Sequence, residues 1–441
     1  MFVKKSRELL QIMHSHLCNR CGSCVGLSDG AIVFKDKEGG YFPDTISKLS
    51  EAKAERIWEA CSGKYFNFVK YREKFYSNPA HFHYYVGPYE QMGIGFTNDE
   101  LIRQNAASGG IITGILIFLL EKGMIDGAVT LRMSSEKPWL TETCIAKSRA
   151  EIVESAQSKY CISSVNEILP EISAFKGKLA YVGLPPQVQS IRKLQAVDDP
   201  VVRNIKYIFG PFYGNTMHFT AVKSLLRTYG EKDYTQIKKL YFRYGEWPGN
   251  MRIEMNSGRI IELKKFHANY LIPFHILKNS LLCTDFTNEF TDISGGDAWA
   301  PVYEEKGKGF SMIIARSKQG KHILDAMIKE GWIQFNEISE NEAITMHSHG
   351  YDLKKRGAFI RIRIRKISGK PVPDYGYKLK GFPVSRYIME GIISFLFLVM
   401  GTKFLRCLVE LIPPEFIGRF FEKARTNWKK STYKIKRTNL L

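Results

Sequence analysis

Apolar and polar positions along the chain fall into short patches whose period changes from place to place. The run Ile111-Ile112-Thr113-Gly114-Ile115-Leu116-Ile117-Phe118-Leu119-Leu120-Glu121 is apolar nearly all round and predicts a buried helix opening after Gly110. Residues 126–131, 179–185 and 205–210 are short apolar runs bounded by turn residues, the pattern of buried strands. Between them, 149–156 and 187–194 read as helices. Strands alternating with helices predict an α/β unit with a largely parallel sheet. Ligands in such sheets sit at the carboxyl ends of the strands, where Gly183-Leu184-Pro185 and Gly210-Pro211 fall.

Either side of this unit the pattern changes. Ala31-Ile32-Val33-Phe34 and Tyr41-Phe42-Pro43, joined through Gly39-Gly40, read as strand, turn and strand, and 52–60 as a helix delivering Cys61. Downstream, 243–249 reads as a turn, 251–262 as a hairpin about Asn256-Ser257-Gly258, and 309–316 as a strand. Ile360-Arg361-Ile362-Arg363-Ile364-Arg365 alternates without a break, which predicts a strand with arginines on one face. Such a face binds an acidic partner or protects a sheet edge, and both readings stand. Residues 391–402 are strongly apolar over 12 positions, too few to cross a bilayer. With Lys403, Arg406 and the cations of 419–437 they suit an in-plane helix on an anionic leaflet, or a helical hairpin broken at Pro413-Pro414 and packed on the body.

Composition narrows the classes. The 441 residues suffice for two or three domains, read here as 1–80, 81–335 and 336–441, and 44% hydrophobic with 24% charged residues is the balance of a soluble globular protein. A net charge of +20 calls for anionic partners. Without a zinc finger, an RNP-type aromatic motif or a bZIP region, nucleic acid is not expected among them. Lys4, Lys5, Arg7 and Glu8 are not followed by a sustained apolar run, so a signal peptide is not expected. The eight cysteines are those of a reducing cytoplasm rather than a disulfide framework. The C-terminal region adds the option of a peripheral position at the inner membrane face.

The candidate chemistry begins at Cys18-Asn19-Arg20-Cys21-Gly22-Ser23-Cys24. Three cysteines at this spacing bring three thiolates to one point, as iron–sulfur clusters require, and Gly22 lets the backbone curl beside them. The close-spaced fourth ligand of bacterial ferredoxins is missing, since Ser28-Asp29 follow. Cys61 therefore completes the set Cys18, Cys21, Cys24 and Cys61 across a loop of about 36 residues, whose closure costs little more than that of a shorter one. The alternative is a four-cysteine zinc knot, although zinc sites usually come as two C-x2-C pairs. The second candidate is Ala106-Ala107-Ser108-Gly109-Gly110 ahead of the 111–121 helix. Free amides and the positive end of the helix dipole suit phosphate there, while an ordinary N-cap explains the same residues.

Six separated segments, in order, resemble one family: Cys18-x2-Cys21-Gly22-x-Cys24, Ala107-Ser108-Gly109-Gly110, Ser158-Lys159-Tyr160-Cys161, Val182-Gly183-Leu184-Pro185, Trp247-Pro248-Gly249 and Asp292-Ile293-Ser294-Gly295-Gly296-Asp297-Ala298-Trp299. Together they look like the beta subunit family of coenzyme F420 hydrogenases and dehydrogenases, which also includes plant hydroxymethyl-chlorophyll reductase. The resemblance runs from about residue 14 to residue 330. It implies an iron–sulfur flavoprotein carrying one 4Fe-4S cluster and FAD. Ser108, Gly109 and Gly110 would be flavin-phosphate ligands, and Lys159 would lie near the flavin or its substrate, as a catalytic residue or as a solvated surface lysine. Asp297 would serve the site or stabilise a turn. The fold implied is α/β (α+β overall): a small N-terminal ferredoxin-like iron–sulfur unit, a central flavin-binding domain on a mixed or parallel sheet, and a basic helical C-terminal extension.

Many family members carry a second cysteine set. Here Cys161 and Cys283 remain, but Pro186 and Ser280 stand at the other positions, so a second cluster is not expected. Cys161 and Cys283, like Cys144 and Cys407, are then expected to be small buried residues. The function expected is an oxidoreductase passing electrons from an external donor, such as a ferredoxin or a partner subunit, through cluster and FAD to a small-molecule substrate. A non-catalytic membrane-associated scaffold or electron-relay subunit on the same fold is the alternative, and a homo-oligomer stays open.

Overall fold

The computed structural model of the chain describes residues 4–36, 41–304, 308–437 and Leu440. The expected Gly39-Gly40 turn lies outside the described residues. On either side of it, β1 (Ile32–Lys35) and β2 (Phe42–Thr45) pair antiparallel with Phe34 opposite Pro43. A second short ladder joins β3 (His81–His83) to β4 (Gly87–Tyr89).

The main sheet begins with β5 (Gln91–Thr97), β6 (Gly127–Met133), β7 (Thr141–Ala146), β8 (Leu179–Val182) and β9 (Ile205–Pro211). The chain then leaves it for an antiparallel meander of β10 (Ile237–Tyr244), β11 (Asn250–Met255) and β12 (Ile260–Lys264). It returns as β13 (Ile293–Asp297), β14 (Ser311–Ala315) and β15 (Ile333–Glu337). The order across the sheet is β15-β5-β14-β13-β9-β8-β6-β7. β6, β8, β9 and β13 run parallel. β14 is antiparallel to both β13 and β5, so β5 shares their direction. Five strands therefore deliver their carboxyl ends to one edge of a mixed α/β sheet.

The helix Ile111–Glu121 is buried along most of its length, as its unbroken apolar run predicts, and joins one core with Ala128, Ala180, Phe209 and Ile313. The N-terminal unit shares its core with the other face: Ile32, Ile57, Phe66 and Phe68 belong to one cluster with Leu179, Tyr181 and Val188. Tyr375, far along the chain, belongs to the same cluster. Apolar continuity of this kind holds the unit against the sheet, because separating them would return that surface to water.

One expectation is overturned. Residues 360–365 are not a strand but lie in the helix Ala358–Ile367, which continues a π-helical turn at Asp352–Gly357. Alternation predicts a strand only where one face is solvated, and here only Arg363 is exposed, while Arg361 is buried and Arg365 half-buried. Arg361 donates to Leu281 O at 2.6 Å and Leu353 O at 2.6 Å and also binds Glu390. Arg365 donates to Ser15 O and Pro371 O, both at 2.6 Å. With those partners the segment is neither an acid-binding arginine face nor a charged edge, and arginine is a good helix former. The expected turn at 243–249 is also shorter, since Arg243 and Tyr244 end β10.

Candidate functional site: a cysteine cradle and a glycine loop on one sheet edge

The cysteine run turns on two residues in the left-handed region. Arg20 has φ +61° and Gly22 φ +97°. A Cβ on Gly22 would stand 2.7 Å from both Glu167 N and Ser164 O, so this glycine presses the run against the central unit. Asn19 Oδ1 accepts from Cys21 N at 3.1 Å, and Arg20 Nη1 donates to Cys18 O at 2.9 Å. Cys24 rides on the short helix Ser23–Gly26. Cys61 sits at the C-cap of Glu51–Ala60, as the sequence predicts. Cys18, Cys21, Cys24 and Cys61 then line one cavity walled by Ile12, Met13 and Phe34.

The thiols feel one another. Burial and then the neighbouring Cys61 push Cys21 up to about 12. Burial, followed by Cys18, Cys21 and Cys61, drives Cys24 well above the ordinary thiol range. Such a set resists ionising one thiol at a time, and a bound metal group supplies the positive charge that deprotonates it together. Among the described residues no three His, Cys, Asp or Glu side chains stand where a single ion would hold them. Four thiols around one cavity are the donor set that either a zinc ion or an iron–sulfur cluster takes.

Hydroxyl and amide side chains bolt this cradle to the sheet. Asn166 Nδ2 donates to Ser23 Oγ at 2.8 Å, and Ser23 Oγ meets Ser190 Oγ at 2.6 Å. Ser190 Oγ donates to Ala60 O at 2.6 Å, and Lys193 Nζ to Cys61 O at 2.8 Å. Ser62 Oγ donates to Pro186 O at 2.7 Å and accepts from Asn19 Nδ2 at 2.9 Å. Ser190 and Lys193 lie on the helix Pro185–Ala196, which starts at the carboxyl end of β8. A second, small cavity lies beside that end, lined by Asn19, Ser163, Leu184, Pro186, Gln187 and Tyr213.

Ser108, Gly109 and Gly110 occupy the same edge at the end of β5. Thr97 N donates to Gly109 O at 2.8 Å. Gly110, at φ +76°, is the N-cap of the Ile111 helix. A Cβ on Gly109 would stand 2.5 Å from Gly95 O, so the loop lies flat on the strand. Ser311 pins it, meeting Ser108 Oγ at 2.7 Å and accepting from Gly109 N at 2.9 Å.

An arginine that sequence reasoning passed over joins most of the remaining motifs. Arg243 is 2% exposed. It donates to Ala107 O at 2.5 Å, to Pro248 O at 2.5 Å and to Tyr160 Oη at 3.1 Å. It also pairs with Asp297 at 3.0 Å. Asp297 takes Trp247 Nε1 at 2.8 Å as well, and it stands at the end of β13 rather than in a turn. Burial raises the Asp297 carboxyl, but Arg243 and Lys265 outweigh it and hold the group below its ordinary range. Burial also pushes the Tyr160 phenol up, and Lys265 and Arg243 reverse that shift, so it ionises below its ordinary value. The Trp247 and Trp299 rings stand 5.2 Å apart, with Lys265 Nζ 4.8 Å over Trp299. The only local hint was position: Arg243 precedes the Trp247-Pro248-Gly249 segment by four residues.

Lys159 is placed differently from its neighbour Tyr160. Its Nζ donates to Ser155 O at 2.7 Å, Ala156 O at 2.6 Å and Gln157 O at 3.3 Å, closing the end of the helix Arg149–Glu154. Burial pulls it down to about 7. Of the second cysteine set, Cys161 and Cys283 are buried. Ser280 Oγ meets Tyr213 Oη at 2.7 Å and accepts from Thr216 N at 3.1 Å. Cys144 is half-buried and Cys407 exposed, against the expectation that both are buried. Cys407 lies on the outward face of a surface helix, which a lone cysteine does not reveal in sequence.

The central part of the chain matches known protein families. Residues 92–170 match the family model for the N-terminal part of the coenzyme F420 hydrogenase/dehydrogenase beta subunit. Residues 176–341 match the companion model for the C terminus of that same subunit. Coenzyme F420-dependent sulfite reductase of Methanocaldococcus jannaschii is 26% identical over 364 residues, covering 79% of this chain and 52% of the relative. This chain thus spans about half the length of that relative. Coenzyme F420 hydrogenase subunit beta of Methanosarcina barkeri is 25% identical over 262 residues, 58% of this chain and 84% of that one. A chain in the solved F420-reducing [NiFe] hydrogenase complex of Methanosarcina barkeri shares the fold, with TM-score 0.52, 21% identity and coverage of 66% of this chain and 98% of that chain. The fold and matched segments are those of an oxidoreductase beta subunit family. The chain belongs to the coenzyme F420 hydrogenase/dehydrogenase beta subunit family.

Proposed function

We propose that the chain is an iron–sulfur flavoprotein oxidoreductase of the cytoplasm. It passes electrons between an external carrier, one 4Fe-4S cluster, FAD and a small-molecule substrate. The observation that carries this reading is the sharing of one sheet edge by the cysteine cradle and the glycine loop. The cradle is bolted at β8 and the loop lies at β5, four strand spacings or about 19 Å away.

Bound there, a cluster supplies single-electron steps and a flavin two-electron transfer. The chain's own residues do the rest. Cys18, Cys21, Cys24 and Cys61 hold the cluster in an apolar wall that keeps water from it. Ser108, Gly109 and Gly110 bring a helix N-terminus to the flavin phosphates. Arg243 fixes Ala107, Tyr160 and Asp297 about that loop. Lys159 holds the segment that carries Tyr160 through its bonds to Ser155 O, Ala156 O and Gln157 O.

A basic rim beside Cys18 supports an acidic electron carrier as the donor. Asn279 Nδ2 donates to Leu17 O at 2.6 Å and Arg365 Nη2 to Ser15 O at 2.6 Å, so their element ends flank the segment leading into Cys18. Lys278 is exposed there, with Arg406, Arg365 and Lys370 close enough to form a cluster of like charges.

Anaerobic purification with iron, sulfide and flavin analysis tests the reading. About four irons and one FAD per chain are expected, and zinc without flavin overturns it. The relatives' names offer coenzyme F420 as the first carrier to assay. Pro186 and Ser280 favour a second reading, an electron-relay subunit without its own substrate site. Cys21→Ser removes iron under either reading, but only an enzyme loses turnover with it.

A further inference from the structure

The helices Val384–Met400, Lys403–Val409 and Pro414–Ser431 pack against the β10–β12 meander through one set of side chains. Met400, Leu405, Val409, Ile417 and Phe421 join its core. The first helix is also anchored by charge: Arg386 donates to both oxygens of Asp352 at 3.0 Å and to Glu390 at 2.6 Å. Both sequence readings of this region thus meet in one element, a packed helical unit with an outer side.

That outer side is apolar. Ile388, Ile392 and Phe395 follow one helical face and are 61%, 43% and 64% exposed. Phe404 is 75% and Leu411 80% exposed, and Phe416 and Phe420 are 63% each. Single exposed apolar residues are ordinary, but a series on three consecutive helices marks an interaction surface. The first two helices meet at a bend of 75°, and no single helix among the described residues is long and apolar enough to cross a membrane. Exposed Lys403, Arg419, Lys423 and Lys430 stand among the apolar groups.

We propose that this face docks the protein on an anionic bilayer surface, its helices lying in the plane of the leaflet. The aromatic and aliphatic side chains enter the acyl boundary while the interleaved cations meet lipid phosphates. Charge chooses this occupant over a second copy: two chains of net charge +20 repel, and an anionic leaflet attracts. The proposal is independent of cofactor content.

Cosedimentation of the full chain tests it, with vesicles of phosphatidylcholine alone and with added phosphatidylglycerol, at low and high salt. The anionic vesicles are expected to bind at least about tenfold more protein, with loss at high salt. The triple variant Phe395→Ser, Phe404→Ser, Phe416→Ser, shown folded by circular dichroism, is expected to stay in the supernatant. Hydrogen exchange of the unsubstituted chain reads the same surface without any variant: vesicles should protect residues 388–420. Wild-type protein that ignores both vesicle types overturns the proposal. So does binding that survives in the folded triple variant, or a homodimer that the variant dissociates without any vesicle binding by the wild type.

Discussion

Arg243 Nη2 stands 3.0 Å from Asp297 Oδ1, tying the end of β10 to the end of β13 across 54 positions of sequence. The pair is buried on the arginine side and shares its carboxylate with Trp247. Removing one member leaves the other charge buried alone. Arg243→Met or Asp297→Asn is therefore expected to cost about 3–5 kcal/mol in denaturant unfolding and to lower bound flavin. The double variant should cost less than the sum of the two, which a double-mutant cycle measures.

Cys21→Ser is expected to abolish iron binding, because Cys21 is the most enclosed of the four thiols that line the cavity. Cys407→Ser, on an exposed helix face, should keep full iron and flavin content. Equal iron loss in both variants would dissociate the cluster from the cradle.

Gly109→Ala places a methyl group 2.5 Å from Gly95 O and 2.9 Å from Ser311 N, both backbone atoms that do not yield. A destabilisation of about 1–3 kcal/mol is expected, with weaker flavin retention on gel filtration. Gly214→Ala, where a Cβ meets nothing within 4 Å, should be silent in both measurements.

Acid should weaken the fold through buried imidazoles. Burial, helped by Arg406, lowers His275 to about 3, and burial lowers His347 to about 4. Both folded values lie below that of the unfolded chain, which alone takes up protons as pH falls through 6.5. Stability is therefore present at neutrality and lost between about pH 6.5 and 4. Asp285, raised to about 6 by burial and Glu289, acts in the opposite sense between about pH 6 and 3.8 and offsets one imidazole. A net loss of stability on acidification is expected in urea unfolding, and His347→Gln should flatten the profile.

Reversing the rim charges with Lys278→Glu and Lys370→Glu is expected to slow reduction by an acidic electron carrier about tenfold at low salt, and little at high salt. Stopped-flow reduction reads this directly. Unchanged rates at both salt concentrations would move the donor's approach elsewhere on the surface.

Much of this architecture is legible residue by residue. The Ile111 helix is found where its apolar run stands, because a helix buried on all sides needs no polar face. The 251–262 hairpin turns about its Asn256-Ser257-Gly258 as short-range turn chemistry requires. The cysteine spacing pointed to the cradle, and Gly22 takes the left-handed conformation that the curl demands. The alternation at 360–365 misled, since a six-residue pattern does not reveal that Arg361 and Arg365 will be spent on carbonyls and Glu390.

The features written into the chain itself are local: the buried helix and strands, the thiol set, and the loop of small residues ahead of a helix. Each depends on periodicity or spacing within a few turns of chain. Only the assembled sheet gives β5 the direction of β8, so that loop and cradle face the same edge. Only long-range packing brings Arg243 to Ala107, Tyr160 and Asp297, and turns Phe404 and Phe416 outward while Leu405 and Ile417 go in. These outcomes follow from which surfaces are left to cover once the sheet has closed, and no short window of sequence contains that information.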